Sequence, residues 1–156
     1  MKPKIGITEK DKSAIIEKLT VVLANEMVVY VKTRKFHWNV TGNSFMELHK
    51  LFEKQYNDIA LAVDEVAERI SKLGGKAIGS MDAFLKHATL KESKSDPAQK
   101  AMIEELLSDH EEAATDIRKF INEIEEDTDD IGTADFLTDL LRDHESKAWV
   151  LRKYLA

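Results

Sequence analysis

Between Phe45 and Ile70 an apolar residue returns at every third or fourth position, and this run limits the possible folds more than any other feature of the chain. Phe45, Leu48, Phe52, Tyr56, Ile59, Val63, Val66 and Ile70 fall on one face of a helix but would scatter over both faces of a strand. The segment is therefore expected to be one long amphipathic helix with a continuous stripe to bury. Leu73-Gly74-Gly75 should close it, because glycine takes the left-handed conformation that ends helices.

Three more stretches carry the same period. A helix is expected from about Thr8 to Phe36, with Ile15, Leu19, Val22, Leu23, Met27 and Tyr30 on one face. Another should begin at Ser95-Asp96-Pro97, an N-cap followed by proline, and carry Ile103, Leu106, Ala113, Ile117, Phe120 and Ile124. The last should start near Thr133, with Leu137, Leu140, Ala148, Leu151 and Leu155 inward. The link from Gly74 to Lys94 is too long for a hairpin, and Ser80 to Thr89 reads as a short extra helix inside it. Two prolines and six glycines leave few turn residues for an all-β alternative. The expectation is an all-α, ferritin-like four-helix bundle, with one long crossover between its second and third helices. One domain should span residues 1–156, without internal repeats.

Composition removes several classes of function. Without cysteine there is no disulfide, thiolate zinc site or cysteine nucleophile, which fits a cytoplasmic home. Residues 1–8 lack the apolar core of a signal peptide, and no segment is apolar enough to span a membrane. A net charge of −6 repels nucleic acid and suits the handling of cations.

Histidine and carboxylate are natural ligands for non-haem iron. They gather as His37, His49, Glu53, Asp64 and Glu68. His49 with Glu53, and Asp64 with Glu68, are four apart, so each pair shares a helix face. His49 and Asp64 are separated by fifteen residues, roughly 22 Å of helix, and cannot share an ion within one chain. An antiparallel two-fold mate crossing near Asp58-Ile59 would bring His49 and Glu53 of one chain to Glu68 and Asp64 of the other. The same carboxylates equally describe a solvated face, and the same histidines structural ones.

The segment Thr33–Glu53 (TRKFHWNVTGNSFMELHKLFE), continuing through Asp64-Glu65-Val66-Ala67-Glu68-Arg69-Ile70, resembles the Dps family of miniature ferritins. So does Thr133-Ala134-Asp135-Phe136-Leu137-Thr138, which opens the last helix. The resemblance covers nearly the whole chain. It implies a ferroxidase that oxidises Fe²⁺, preferentially with hydrogen peroxide and otherwise with dioxygen. The ferric product would be stored in a hollow shell of twelve subunits, protecting against oxidative damage. It implies a mononuclear or dinuclear iron site with His37, His49 and Glu53 from one subunit and Asp64 and Glu68 from its mate. Glu53 departs by one methylene from the aspartate of many relatives, which bears on the second iron position. Trp38 would be an electron donor beside the site, or equally a packed aromatic closing the first helix.

Asp130 and Asp135 occupy the places that line iron-admitting pores in these relatives, although acidic residues also suit a helix start. His110 and His144 lack the carboxylate three residues earlier that a bundle-core iron site needs, Leu107 and Leu141 standing there instead. They read as core histidines bonded to a neighbour, and His87 has no visible partner. The alternative function is a nucleoid-associated protein that coats DNA. Its tail would supply Lys2, Lys4, Lys10 and Lys12, already offset by Glu9 and Asp11, and no C-terminal tail is expected to substitute.

Overall fold

The computed structural model describes residues 2–156 and contains five helices and, among those residues, no strand. They are α1 (Glu9–Asn39), α2 (Phe45–Lys72), α3 (Met81–His87), α4 (Gln99–Asp127) and α5 (Ile131–Leu155). α1 packs on α2 and α4, and α5 packs on α4 and α2. Around the bundle the order is thus α1, α2, α5, α4. The link from α2 to α4 crosses the diagonal, and α3 within it lies against α1. This is the ferritin-like connectivity expected from the spacing of the four long helices.

The α2 stripe is buried almost as its period requires, through Leu48, Phe52, Tyr56, Ile59, Val66 and Ile70. Ile15, Leu19, Leu23, Ile117, Leu137 and Ile70 fill one half of the core. Val29, Phe36, Phe52, Ile103, Leu106 and Leu151 fill the other. α1 is buried on two sides, by the bundle and by the crossover. Asn25, 3% exposed, fastens that crossover. Its Oδ1 accepts the Thr89 and Leu90 amides at 2.9 and 3.2 Å, and its Nδ2 donates to the Thr89 hydroxyl at 2.9 Å.

Helix ends follow local chemistry. The Thr8 side chain caps α1 by accepting the Asp11 amide at 3.1 Å. Gly74, at φ +89°, closes α2 while the Gly75 amide returns to the Ile70 carbonyl at 3.0 Å. Ser80 caps α3 through the Ala83 amide at 3.3 Å. Two boundaries differ from expectation. α4 starts at Gln99 behind Ala98, not at Ser95-Asp96-Pro97. Lys35 draws that segment toward α1, pairing with the Asp96 side chain at 3.3 Å and donating to the Ser95 carbonyl at 2.5 Å. α1 runs on to Asn39, which puts His37 and Trp38 in its last turn.

Candidate metal centre

The short 40–44 turn folds α2 back along α1 and sets the last turn of one helix beside the first of the other. His37 and His49 meet there with their rings stacked, centroids 3.8 Å apart and planes 18° from parallel. Each imidazole bonds the other residue's backbone. His37 Nδ1 donates to the His49 carbonyl at 2.7 Å, and His49 Nδ1 donates to the His37 carbonyl at 2.9 Å. A carbonyl only accepts, so the proton of each neutral ring sits on Nδ1 and the lone pair on Nε2. Metal-ligating histidines are commonly oriented this way, by a bond from the other ring nitrogen. His37 is 8% exposed and His49 half-buried. Tyr56 meets the His37 ring edge-on at 5.3 Å, and Phe45 lies 5.1 Å from His49.

Glu53 stands exposed one turn beyond His49 on the same helix. Asp64 and Glu68 lie toward the far end of the unbroken α2, also exposed, with Glu68 paired to Lys72 at 2.9 Å. The structure thus joins the two histidines, with Glu53 near them along the helix, and keeps the other two carboxylates away. Among the described residues, no three histidine or carboxylate side chains of one chain converge to hold a metal ion. Trp38 is 64% exposed, with the Arg34 guanidinium 5.3 Å over its ring.

The two pore candidates separate. Asp130 is buried as the N-cap of α5, accepting the Thr133 amide at 3.0 Å and the Arg69 guanidinium at 2.8 and 3.1 Å. Thr133 also donates its hydroxyl to it. Asp135, one turn on, is exposed, as are Asp127 and Asp129.

His110 and His144 are core residues bonded to neighbours, as expected. Their Nδ1 atoms are 2.9 Å apart, and His144 Nε2 bonds Glu26 at 2.6 Å. Burial first, then His144 and Lys147, hold His110 well below the ordinary imidazole range. Glu26 escaped the sequence reading because its partner lies 118 residues away; its one signal is a charge amid the apolar run Val22 to Val29. Nearby, Lys32 pairs with buried Asp109 at 2.7 Å. Burial raises the Asp109 carboxyl above its usual range despite that lysine. Arg34 and Tyr56 are further neighbours of the site that no spacing in the sequence marks as such. His87 is exposed at the end of α3.

The model of a ferritin-like domain matches residues 16–156. An uncharacterized low temperature-induced protein of Nostoc is 41% identical over 135 residues, covering 86% of this chain and 75% of that one. The DNA protection during starvation protein 2 of Bacillus anthracis is 34% identical over 123 residues, covering 79% and 84%. A Dps protein from Vibrio cholerae O1, described as one of the ferritin-like diiron-carboxylate proteins, superposes with a TM-score of 0.94 at 32% identity. That superposition covers 99% of this chain and 97% of the other.

Proposed function

The chain belongs to the Dps family of ferritin-like proteins, and from that premise we propose that it binds ferrous iron between paired subunits, oxidises it and stores the ferric product in a closed shell. The observation that carries the reading is the reciprocal bonding of His37 and His49, which leaves the Nε2 lone pair of each stacked ring free for a metal. In the proposed site these join Glu53, with Asp64 and Glu68 arriving from a two-fold mate whose α2 runs antiparallel. The exposed Met46 and Leu61, each one turn from a ligand on the same helix, support a covered face there.

Neutral imidazoles bind Fe²⁺ without adding charge, and the carboxylates favour the ferric state by opposing its extra positive charge. One peroxide takes one electron from each of two ferrous ions, and its O–O bond breaks. With two further waters the ferric ions hydrolyse to two FeO(OH), and four protons leave. Dioxygen is the alternative oxidant, and twelve subunits is the proposed shell size. Asp135 rather than Asp130 is free to attract cations at a pore, since Asp130 is committed to Arg69 and Thr133. Trp38, the residue after His37 in the last turn of α1, is the proposed reserve electron donor.

A DNA-coating role draws little support. Lys2 pairs with Glu9 at 2.9 Å, and buried Lys12 bonds the Pro3 carbonyl at 2.6 Å, so the N-terminal cations are partly committed. Anaerobic addition of Fe²⁺ followed by peroxide, read as ferric absorbance, tests the main reading. Fast oxidation should occur in the wild type and be absent from His37→Ala/His49→Ala. Equal rates in both would discard the site, and a steeply salt-sensitive shift of duplex DNA without iron oxidation would favour the nucleoid role.

A further inference from the structure

Of the five arginines, Arg69, Arg118, Arg142 and Arg152 each meet a carboxylate. Arg34 instead meets three aromatic rings. Its guanidinium lies 4.5 Å from the centre of Tyr56, 5.3 Å from Trp38 and 5.6 Å from Tyr30. It also donates to the Tyr30 hydroxyl at 2.8 Å. Tyr30, Arg34 and Trp38 follow one another at four-residue spacing on α1, while Tyr56 comes from α2. Tyr30 and Tyr56 are themselves in edge contact, with centroids 6.3 Å apart. The cation therefore ties the two helices together through ring faces.

Tyr56 is the ring that meets His37 edge-on, at 5.3 Å and 73°. The bond from His37 Nδ1 to the His49 carbonyl fixes the tautomer and orients the imidazole, and packing against the ring limits the residual swing about its side-chain bonds. The stacked His49 ring covers one side, and Tyr56 supplies the other contact that resists the swing. We propose that Arg34 is a positioning residue of the metal site: by clamping Tyr56 it holds the His37 ring, and so its Nε2, in the orientation that accepts the ion. This rests on the reading of His37 as a ligand. Arginine suits the task better than lysine because a planar guanidinium stacks on ring faces while still donating to Tyr30.

Anaerobic titration of the assembled protein with Co²⁺, followed by the visible bands of the bound ion, tests this without turnover. Arg34→Met should weaken binding about tenfold, as loss of an outer contact to a metal-ligating histidine does. The KM for Fe²⁺ should rise more than kcat falls. Arg34→Lys should recover only part of the affinity. Tyr56→Leu should cause a similar loss, and the double variant Arg34→Met/Tyr56→Leu should be no worse than either single one, because both act through one contact. Wild-type affinity and bands in Arg34→Met would overturn the proposal, as would strictly additive effects. Should Arg34→Met fail to assemble, Arg34→Lys and Tyr56→Leu carry the same cycle. If wild-type Co²⁺ binding is unaffected by His37→Ala, the ligand assignment has failed, and the role of Arg34 falls with it.

Discussion

His110 and His144 face each other Nδ1 to Nδ1 across 2.9 Å of bundle core, and Glu26 holds the far nitrogen of His144. One Nδ1 must donate and the other accept, so the pair shares one proton between them. His110 Nε2 is buried without a partner, and Lys147 adds positive charge nearby. A second proton on this pair would put a cation in the buried core beside Lys147, where burial penalises the charge.

The pH dependence follows from that relationship. His110 has its folded-state pKa depressed, so it binds its proton more readily unfolded, near pH 6.5. Its contribution to stability is complete above that pH and is lost as pH falls toward the folded value. Urea melts at pH 7.5 and 5.5 should show a drop of about 1 kcal/mol per chain in the wild type, within the limit of about 1.4 kcal/mol per pH unit. His110→Leu should lose most of that drop. An equal acid sensitivity in His110→Leu would transfer the effect to other groups.

Asn25 is predicted to hold the crossover in place. Asn25→Ala would strand the amides of Thr89 and Leu90, at a cost of about 2–3 kcal/mol. Hydrogen exchange should accelerate over residues 84–92 more than over α5. Uniform acceleration along the chain would mean that the asparagine supports the whole bundle rather than the link.

The two acidic residues at the start of α5 should respond differently. Asp130→Asn keeps a capping oxygen but leaves the half-buried Arg69 without its carboxylate, so a loss of about 2 kcal/mol is expected. Asp135→Asn should leave the melting temperature unchanged and slow iron uptake at low ferrous concentration, by reducing the potential that gathers cations. Uptake at the wild-type rate in Asp135→Asn would remove that residue from any pore.

The contrast between these residues also marks how far the sequence alone reaches. The long helices are legible because burial of one face imposes a period, as on α2 from Phe45 to Ile70. The start of α4 is not, because Asp96 looks like a cap, and its pairing with Lys35, far away in the chain, leaves no local mark. His37 and His49 stand out by type, but their mutual backbone bonds depend on how the 40–44 turn closes. Asp130 shows an acidic residue at a helix start, while its engagement by Arg69 spans 61 residues. Contacts made across the bundle leave no local period to read.

The shared iron site makes the sharpest prediction. In one chain His49 and Asp64 are fifteen residues apart on a continuous helix, so an ion that needs both must draw on two chains. Two differently inactive variants should then complement each other. His37→Ala/His49→Ala keeps the carboxylates, and Asp64→Ala/Glu68→Ala keeps the histidines. Alone, each should lack fast ferrous oxidation, since every site loses part of its ligand set. In a mixed dimer one site collects all four substitutions and the other is wild type throughout. Equal mixing and random pairing make about half the dimers mixed, so about a quarter of all sites should recover. Co-refolded protein should therefore oxidise iron at about a quarter of the wild-type rate. Activity left at the level of the separate parents, with mixed dimers verified by mass spectrometry, would exclude a site shared between subunits.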